Sequence, residues 1–189
     1  MLLRRPTPRD RAAFLAFVRA SRRLHHPWVA TPAGPAGFAA YLRRGRRRNR
    51  VSVLICRRED GAIVGAVNVS EIVRGALQSA YLGYYGSRAH AGQGYMTEGL
   101  ALVLRHAFGR LGLHRLEANV QPGNRLSLAL VQRLGFRREG FSPRYLMVAG
   151  RWRDHERWAI LREEWRDAPP AARQGRRQAR GSGARGASP

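Results

Sequence analysis

The sequence contains no lysine and only one cysteine. Its 35 basic residues are therefore all arginines, and with 12 carboxylates they give a formal net charge of +23. The lone thiol, Cys56, cannot form an internal disulfide, and no histidine or second cysteine stands near it at metal-ligand spacing. We therefore expect Cys56 to be a buried strand residue, and we expect no metal site.

Long apolar runs are also missing. No stretch approaches the roughly 18 residues of a membrane-spanning helix. The N-terminal segment MLLRRPTPRDR lacks the apolar centre and the small-residue cleavage site of a signal peptide. These observations predict a cytoplasmic protein without a membrane partner. With 189 residues and 44% hydrophobic content, the chain is long enough for one globular domain.

Two segments are rich in arginine. Residues 43–50 hold six arginines in eight positions, and residues 168–189 hold five arginines and no carboxylate. The second segment is rich in Ala, Gly, Pro and Ser and has no large apolar residue to bury. We therefore predict one folded domain over residues 1–167 and a disordered tail over residues 168–189. Such charge favours a nucleic-acid partner, although arginine in place of lysine also follows from genome composition alone.

Apolar periodicity predicts an α+β fold. Helical spacing of apolar residues covers four segments, which are residues 10–24, 36–50, 95–111 and 125–135. Patterns typical of strands cover four more, of which the first and last are hairpins: residues 51–73, 79–87, 114–120 and 145–161. The first hairpin turns at Asp60-Gly61. This order indicates a three-layer α/β/α arrangement around a mixed sheet.

The stretch GQGYMT, residues 92–97, joins a predicted strand to a predicted helix. Glycines at positions 92 and 94 leave backbone N–H groups unobstructed at a helix start, an arrangement that suits a diphosphate. A dinucleotide-binding fingerprint needs a third glycine where Thr97 stands, and a P-loop needs a lysine. A tight strand-to-helix turn without a ligand is the alternative.

A second motif, NRLSLALVQRLGFRREGF, covers residues 124–141 and places Asn124 and Ser127 at the start of a helix that ends at Gly135-Phe136. With the glycine loop before it, this motif resembles the GNAT superfamily of acyl-CoA-dependent N-acetyltransferases, over about residues 2–162. The segments AYLGYY, GQGYMTEGL and GRWRDHERWAI are similar to the RimJ type of ribosomal-protein-alanine N-acetyltransferase.

The resemblance implies a GNAT fold, with a twisted mixed sheet split beside the glycine-loop strand, and acetyl-CoA as co-substrate. It implies that backbone N–H groups of the loop and helix start bind the CoA pyrophosphate, at His90, Ala91, Gly92, Gln93, Gly94, Tyr95, Met96 and Thr97. The strand before the loop is implied to bind pantetheine, at Leu82, Gly83 and Tyr84. The Arg or Gln that usually opens the loop is Ala89 here, with Arg88 before it.

Two further roles are implied by the same resemblance, and the remaining candidates come from the residues themselves. Asn124 matches the residue that contacts the pantetheine arm, and Ser127 matches a serine that protonates the leaving thiolate, although both also occupy helix-capping positions. Glu71 is a candidate general base near a strand end, and an exposed glutamate beside Arg74 is the alternative. We interpret Asp154 as structural, since it and His155 face opposite sides of a strand. Three residues are candidates for lining the acceptor pocket or for plain packing: His25, His26 and Trp28.

The implied reaction is acetyl transfer to an amine. An N-terminal α-amine has a pKa near ~8, so a weak or water-mediated base is sufficient at neutral pH. The leading acceptor is the N-terminal alanine of a small-subunit ribosomal protein, with residues 43–50 and the tail on ribosomal RNA. Residues 43–50 are alternatively a contact to the CoA 3′-phosphate or a solvated helix end. Other hypotheses are a small-molecule amine acceptor, such as an amino acid, polyamine or antibiotic, and a ribosome-associated module that has lost catalysis.

Overall fold

The computed structural model describes residues 1–166, so the predicted tail at residues 168–189 lies outside the described residues. The strands are β1 (Leu2–Arg4), β2 (Val51–Cys56), β3 (Ile63–Val73), β4 (Ser79–Gly86), β5 (Arg115–Val120), β6 (Arg137–Val148) and β7 (Arg151–Leu161). The helices are α1 (Arg11–Ala20), α2 (Arg22–His25), α3 (Gly34–Arg44), α4 (Tyr95–Arg105) and α5 (Arg125–Arg133). Within residues 1–166, no helix is both long enough and apolar enough to cross a membrane.

The strands form one mixed sheet in the order β1-β2-β3-β4-β5-β7-β6. Neighbouring strands pair antiparallel, except β4 and β5, which run parallel. The predicted hairpin turn at Asp60-Gly61 is confirmed, and Gly61 has a φ of +72°, which glycine adopts without the steric cost of a side chain. The predicted mixed sheet is also confirmed, because the sheet contains both parallel and antiparallel pairs.

Helices cover both faces of the sheet. On one face, α4 and α5 pack against strand residues such as Ile55 and Val67. On the other face, α1 and α3 bring aromatic side chains against Leu54 and Ala66, namely Phe14, Phe17, Phe38 and Tyr41. Successive strand residues point to opposite faces, so the adjacent Leu54 and Ile55 contribute to different clusters. The three-layer arrangement is confirmed, and Cys56 is buried in the aromatic cluster as predicted.

Several elements differ from the sequence prediction. The second helix ends at Arg44 rather than at residue 50, and β1 was not predicted. The last hairpin begins at Arg137 rather than at Tyr145, because β6 is an edge strand whose mostly exposed, often charged residues hide the apolar alternation. The helix predicted over residues 95–111 is α-helical only as far as Arg105 and continues as a π-helical turn over His106–Arg110.

The parallel pairing of β4 with β5 is short. It consists of three residue pairs, Ser79 with Arg115, Ala80 with Leu116 and Tyr81 with Glu117. Beyond these pairs the strands separate, and the edge of β4 over residues 82–86 no longer faces β5. An open strand edge offers N–H and C=O groups to another extended chain. The split predicted beside the glycine-loop strand is therefore present.

The first turns of α4 lie very close to the sheet. A Cβ added to Gly99 would lie 2.5 Å from the Ile55 side chain, so only glycine permits this approach of α4 to β2. The Met96 side chain fills the space beside two strand glycines, because a Cβ on Gly65 or Gly86 would lie 2.5 Å or 3.1 Å from it. These contacts hold the start of α4 at the end of β4, where the glycine loop lies.

Replacing Gly99 by alanine is expected to lower the free energy of unfolding by about 1–3 kcal/mol, the usual cost of overpacking a core. Gly109, farther along the same helical segment, is the matched control, because a Cβ there meets no atom within 4 Å. Gly109→Ala should change stability by no more than about 1 kcal/mol, the difference in helix propensity. Urea unfolding measures both variants, and equal midpoints would contradict close packing at Gly99.

Candidate active site

A cavity of about 880 Å³ occupies the space between the diverging ends of β4 and β5. Its walls are residues 82–87, residues 118–121, the glycine loop, the first turns of α4 and α5, the loop after α2, and His155 on β7. Most of the predicted site residues line it together: Leu82, Gly83, Tyr84, His90, Ala91, Gly92, Gly94, Met96, Thr97, Asn124 and Ser127. The structure therefore brings the two sequence motifs to one site.

Two residues of the glycine loop that were predicted as cofactor ligands do not line the cavity. The Gln93 side chain donates a hydrogen bond to the Ala89 carbonyl over 3.3 Å and so closes the loop on itself. The Tyr95 ring lies 5.9 Å from the His90 ring and 5.9 Å from the Arg57 guanidinium. Both side chains contact other residues of the loop region instead of the cavity. Only the backbone N–H groups of Gln93 and Tyr95 remain as possible donors to an anion.

The two glycines of the loop are required by backbone conformation. Gly92 and Gly94 have φ values of +76° and +81°, and a Cβ on either would meet no protein atom within 4 Å. Gly94 is the N-cap of α4, and the Glu98 N–H donates to its carbonyl over 3.1 Å. The N–H groups of the first turn of α4 have no acceptor within the helix, and they lie at the positive end of the helix dipole. This end of the cavity is therefore suited to an anion.

The start of α5 presents a serine to β4. The Asn124 side chain caps the helix by accepting a hydrogen bond from the Ser127 N–H over 3.2 Å. The Ser127 hydroxyl does not cap the helix but lies 2.6 Å from the Tyr84 hydroxyl on β4. Burial raises the pKa of Tyr84 to about 12, and the hydrogen bond to Ser127 offsets part of that shift. At neutral pH, two neutral hydroxyls therefore form a hydrogen-bonded pair on the cavity wall.

Arg133 is a cavity residue that the sequence analysis missed. Its guanidinium lies 3.5 Å from the Thr97 hydroxyl, so it stands beside the start of α4. The helical spacing of Leu126, Leu130 and Arg133 places them on one side of α5, and all three line the cavity. That spacing was visible in the sequence. Arg133 supplies a cation near the loop in which Ala89 replaces the usual Arg or Gln.

The loop after α2 forms a second wall of the cavity. The His25 Nε2–H donates to the Gly86 carbonyl over 2.8 Å, and the Gln121 amide donates to the Trp28 carbonyl over 3.0 Å. The Trp28 ring also packs against Gly123, where a Cβ would lie 3.0 Å from it. Of the three candidates in this segment, His25 and Trp28 line the cavity, whereas His26 does not.

Asp154 and His155 face opposite sides of β7, as predicted. The Asp154 carboxylate accepts a hydrogen bond from the Arg144 N–H over 2.7 Å, outside the cavity, which fits a structural role. His155 is only 3% exposed, yet it lines the cavity. The sequence analysis recognised the alternation but did not assign His155 to the site.

Glu71, the predicted general base, does not line the cavity. It lies in β3 at a bulge between Ser70 and Val73, and its φ is +50°. Its exposed carboxylate accepts a hydrogen bond from the Asn49 amide over 3.1 Å. Glu71 is near the end of its strand, as the prediction had it, but a bulge redirects the chain at this position, and the structure does not bring Glu71 to the other site residues.

Residues 43–50 lie at the end of α3 and in the turns after it, and none of them lines the cavity. Most of their arginines are exposed, whereas the half-buried Arg50 contacts the Ser52 hydroxyl over 3.4 Å. Across residues 1–166, the structure contains no group of three or more His, Cys, Asp or Glu side chains that could hold a metal ion.

Comparison with known proteins identifies the family. The sequence profile of the acetyltransferase (GNAT) domain matches residues 1–137. The chain belongs to the GNAT acetyltransferase family. Its fold is the GNAT fold. RimJ of Mycobacterium smegmatis, solved in complex with CoA-disulfide, is 34% identical with a TM-score of 0.73, over 86% of this chain and 82% of that one.

Two curated relatives are similar over a shorter stretch. A probable N-acetyltransferase, YjcK of Bacillus subtilis, is 43% identical over 102 residues, which is 54% of this chain and 56% of YjcK. The ribosomal protein uS5-alanine N-acetyltransferase of Escherichia coli is 37% identical over 107 residues, 57% of this chain and 55% of that protein. The chain thus spans about half the length of the curated relatives it matches.

Proposed function

We propose that this GNAT enzyme transfers the acetyl group of acetyl-CoA to the N-terminal alanine of a small-subunit ribosomal protein. The observation that carries the proposal is the continuous wall formed by the open edge of β4 and the glycine loop that follows it. Pantetheine is an extended chain with amide groups, so it can bind along residues 82–84. The diphosphate then reaches the start of α4, where Arg133 adds a positive charge.

We propose direct attack of the amine on the thioester, with the Tyr84–Ser127 hydroxyl pair supplying the proton for the leaving thiolate. The amine nitrogen forms a bond to the acetyl carbon, the tetrahedral intermediate collapses, and the carbon–sulfur bond breaks. Backbone N–H groups of β4 are candidates to stabilise the oxyanion. If Tyr84 donates its proton toward the Ser127 oxygen, the serine proton is directed elsewhere, and we assign it to the leaving thiolate. Tyr84 suits this role because its raised pKa keeps it protonated.

The charge of the cavity favours an N-terminal amine over a polyamine. Among the described lining residues, the only carboxylate is that of Glu98, and it is paired with the Met1 amine. A polyamine carries several positive charges, and nothing else on this wall would compensate them. An N-terminal α-amine has a pKa near ~8 and carries a single positive charge. Loss of one proton removes that charge, so the amine needs no carboxylate partner in the cavity. The name of the Escherichia coli relative supports the same acceptor.

Ribosomal RNA is the proposed docking partner. The arginines of residues 43–50 are mostly exposed and lie apart from the cavity, so they can bind phosphates while the active site remains free. The RNA also compensates the repulsion between a basic enzyme and a basic ribosomal protein. Because residues 167–189 lie outside the described part of the chain, their contribution rests on composition.

The acceptor is tested by mass spectrometry of reactions with acetyl-CoA. The wild-type protein is expected to acetylate a peptide that begins with alanine and to leave spermidine unmodified. Rapid acetylation of spermidine with no peptide product would refute the proposed acceptor.

Two glycine variants test the cofactor site, one as the probe and the other as its control. Gly94→Val should lose at least about ten-fold in affinity for acetyl-CoA, or ~1.4 kcal/mol, measured by calorimetry. Gly150 is its match, since it lies in the β6–β7 turn with a φ of +77° and no neighbour within 4 Å of an added Cβ. Gly150→Val should carry the same backbone strain and keep wild-type affinity.

Ser127→Ala is expected to lower kcat by about 100-fold or more while the KM for acetyl-CoA stays nearly constant, the usual contribution of a general acid. Tyr84→Phe should give a smaller loss in kcat, because Ser127 remains but loses its hydrogen-bond partner. Steady-state kinetics and urea unfolding of both variants separate catalysis from stability. A fall in activity no larger than the loss of folded protein would leave Ser127 as a packing residue.

Neutralising the arginines of residues 43–50 should weaken ribosome association without slowing acetylation of the free peptide. Sedimentation with ribosomes at two salt concentrations measures the effect, because phosphate contacts release counterions and weaken steeply with salt. Equal and salt-insensitive pelleting of the wild type and the variant would show that this charge has no RNA partner.

A further inference from the structure

Three histidines line the cavity, and their surroundings differ. His90 belongs to the turn before the glycine loop, at the end assigned to phosphate. His25 donates from Nε2 to the Gly86 carbonyl, and its Nδ1 is buried without a partner among the described residues. It also packs against the Phe17 and Tyr85 rings, so its second nitrogen is enclosed by the fold. Neither histidine presents a basic nitrogen to an acceptor amine.

His155 is arranged differently. Its Nδ1 lies 2.9 Å from the Arg153 carbonyl oxygen. A carbonyl oxygen only accepts hydrogen bonds, so Nδ1 carries the proton and Nε2 holds the lone pair. Nδ1 is directed back to its own strand, and Nε2 has no hydrogen-bond partner within residues 1–166. A fixed tautomer with a free lone pair on a cavity wall is what a general base requires.

The groups around His155 leave it neutral at pH 7. Burial lowers its pKa, and the hydrogen bond to Arg153 and the charge of Asp154 oppose the shift only in part. On β6 it faces the Tyr145 ring, 6.3 Å away. On β5, Val120 pairs with Glu156, so the neutral Gln121 is the next residue opposite His155.

Among the other charged residues of β7 near His155, Asp154 and Glu156 have partners, whereas Arg153 Nε is buried without a hydrogen-bond partner among the described residues and Arg157 lies two positions from His155. Asp154 accepts from the Arg144 N–H, and Glu156 binds Arg138 and the Trp158 indole. Elsewhere on the cavity wall, the titratable and charged groups are His25, Tyr84, Tyr85, His90, Glu98 and Arg133.

We propose that His155 Nε2 takes the proton from the acceptor nitrogen, directly or through one water, as the nitrogen bonds to the acetyl carbon. That proton becomes strongly acidic once the carbon–nitrogen bond forms, so a weak neutral base suffices. The imidazolium then releases the proton to solvent, and Ser127 regains from solvent the proton it gives to sulfur. The overall products are the acetylated amine and the CoA thiol. The assignment rests on the proposed function of the cavity.

The proposal determines the pH profile of the wild-type protein. At saturating acetyl-CoA, log kcat/KM for the alanine peptide should rise with a slope of about 1 where only the amine, pKa near ~8, is titrating. Below the pKa of His155, protonation of the imidazole removes the base as well, and the slope should become about 2. Because burial lowers this pKa, the change of slope is expected below pH 6.5.

His155→Gln should lower kcat/KM about 100-fold or more and keep a slope of about 1 throughout. His106→Gln is the matched control, since His106 also has a pKa lowered by burial but does not line the cavity. Its rate and profile should match the wild type. Glu71→Gln tests the rival base. A large loss in Glu71→Gln, or a wild-type rate and profile in His155→Gln, would overturn the assignment while the proposed function stands.

Two further measurements keep the test independent of folding and of peptide activity. Added imidazole should restore part of the rate to His155→Ala, which a merely structural role does not allow. The proton position on His155 is read from long-range ¹H–¹⁵N correlations in labelled wild-type protein, and a proton on Nε2 at pH 7.5 would refute the proposal. Absence of any peptide acetylation by the wild type would instead refute the proposed function.

Discussion

The site depends on where β4 stops pairing with β5. Three pairs hold the strands together, and every later residue of β4 turns its edge toward an open cavity. A fully paired sheet would have no room there, because neighbouring strands lie about 4.8 Å apart. The glycine loop continues directly from the opened strand, and Met96, packed over Gly65 and Gly86, holds the start of α4 at that edge. The cavity and the end of it that suits an anion therefore share a single structural cause.

The start of α5 shows how one short segment serves both stability and chemistry. Asn124 accepts from the Ser127 backbone N–H, so the cap is complete without the serine hydroxyl. That hydroxyl is then available to Tyr84 on the opposite side of the cavity. The hydroxyl pair ties α5 to β4 on the cavity wall. Capping and catalysis were competing interpretations of these residues. The cap uses the Asn124 side chain and the Ser127 N–H, which leaves the Ser127 hydroxyl for the catalytic role proposed above.

Local motifs could be predicted from the sequence, whereas residues contributed by distant elements could not. Gly92, Gly94 and Ser127 were found because their spacing relative to a helix start is local. His155 was missed because its place depends on the register of β7 against β5. Glu71 was misplaced relative to the cavity because a β-bulge, which no apolar pattern reveals, changes its direction. Leu54 and Ile55 lie on opposite faces of the sheet, because the pleat alternates successive side chains.

The long strand β6 ends the sheet with one edge unpaired. Such an edge is a template for association with other chains, and charged residues, proline and bulges are the features that block it. β6 carries all three: Arg137, Arg138 and Glu139 at its start, Pro143 within it, and a register irregularity between Ser142 and Leu146. Part of the arginine excess of this chain therefore protects the fold against aggregation, whatever the remainder binds.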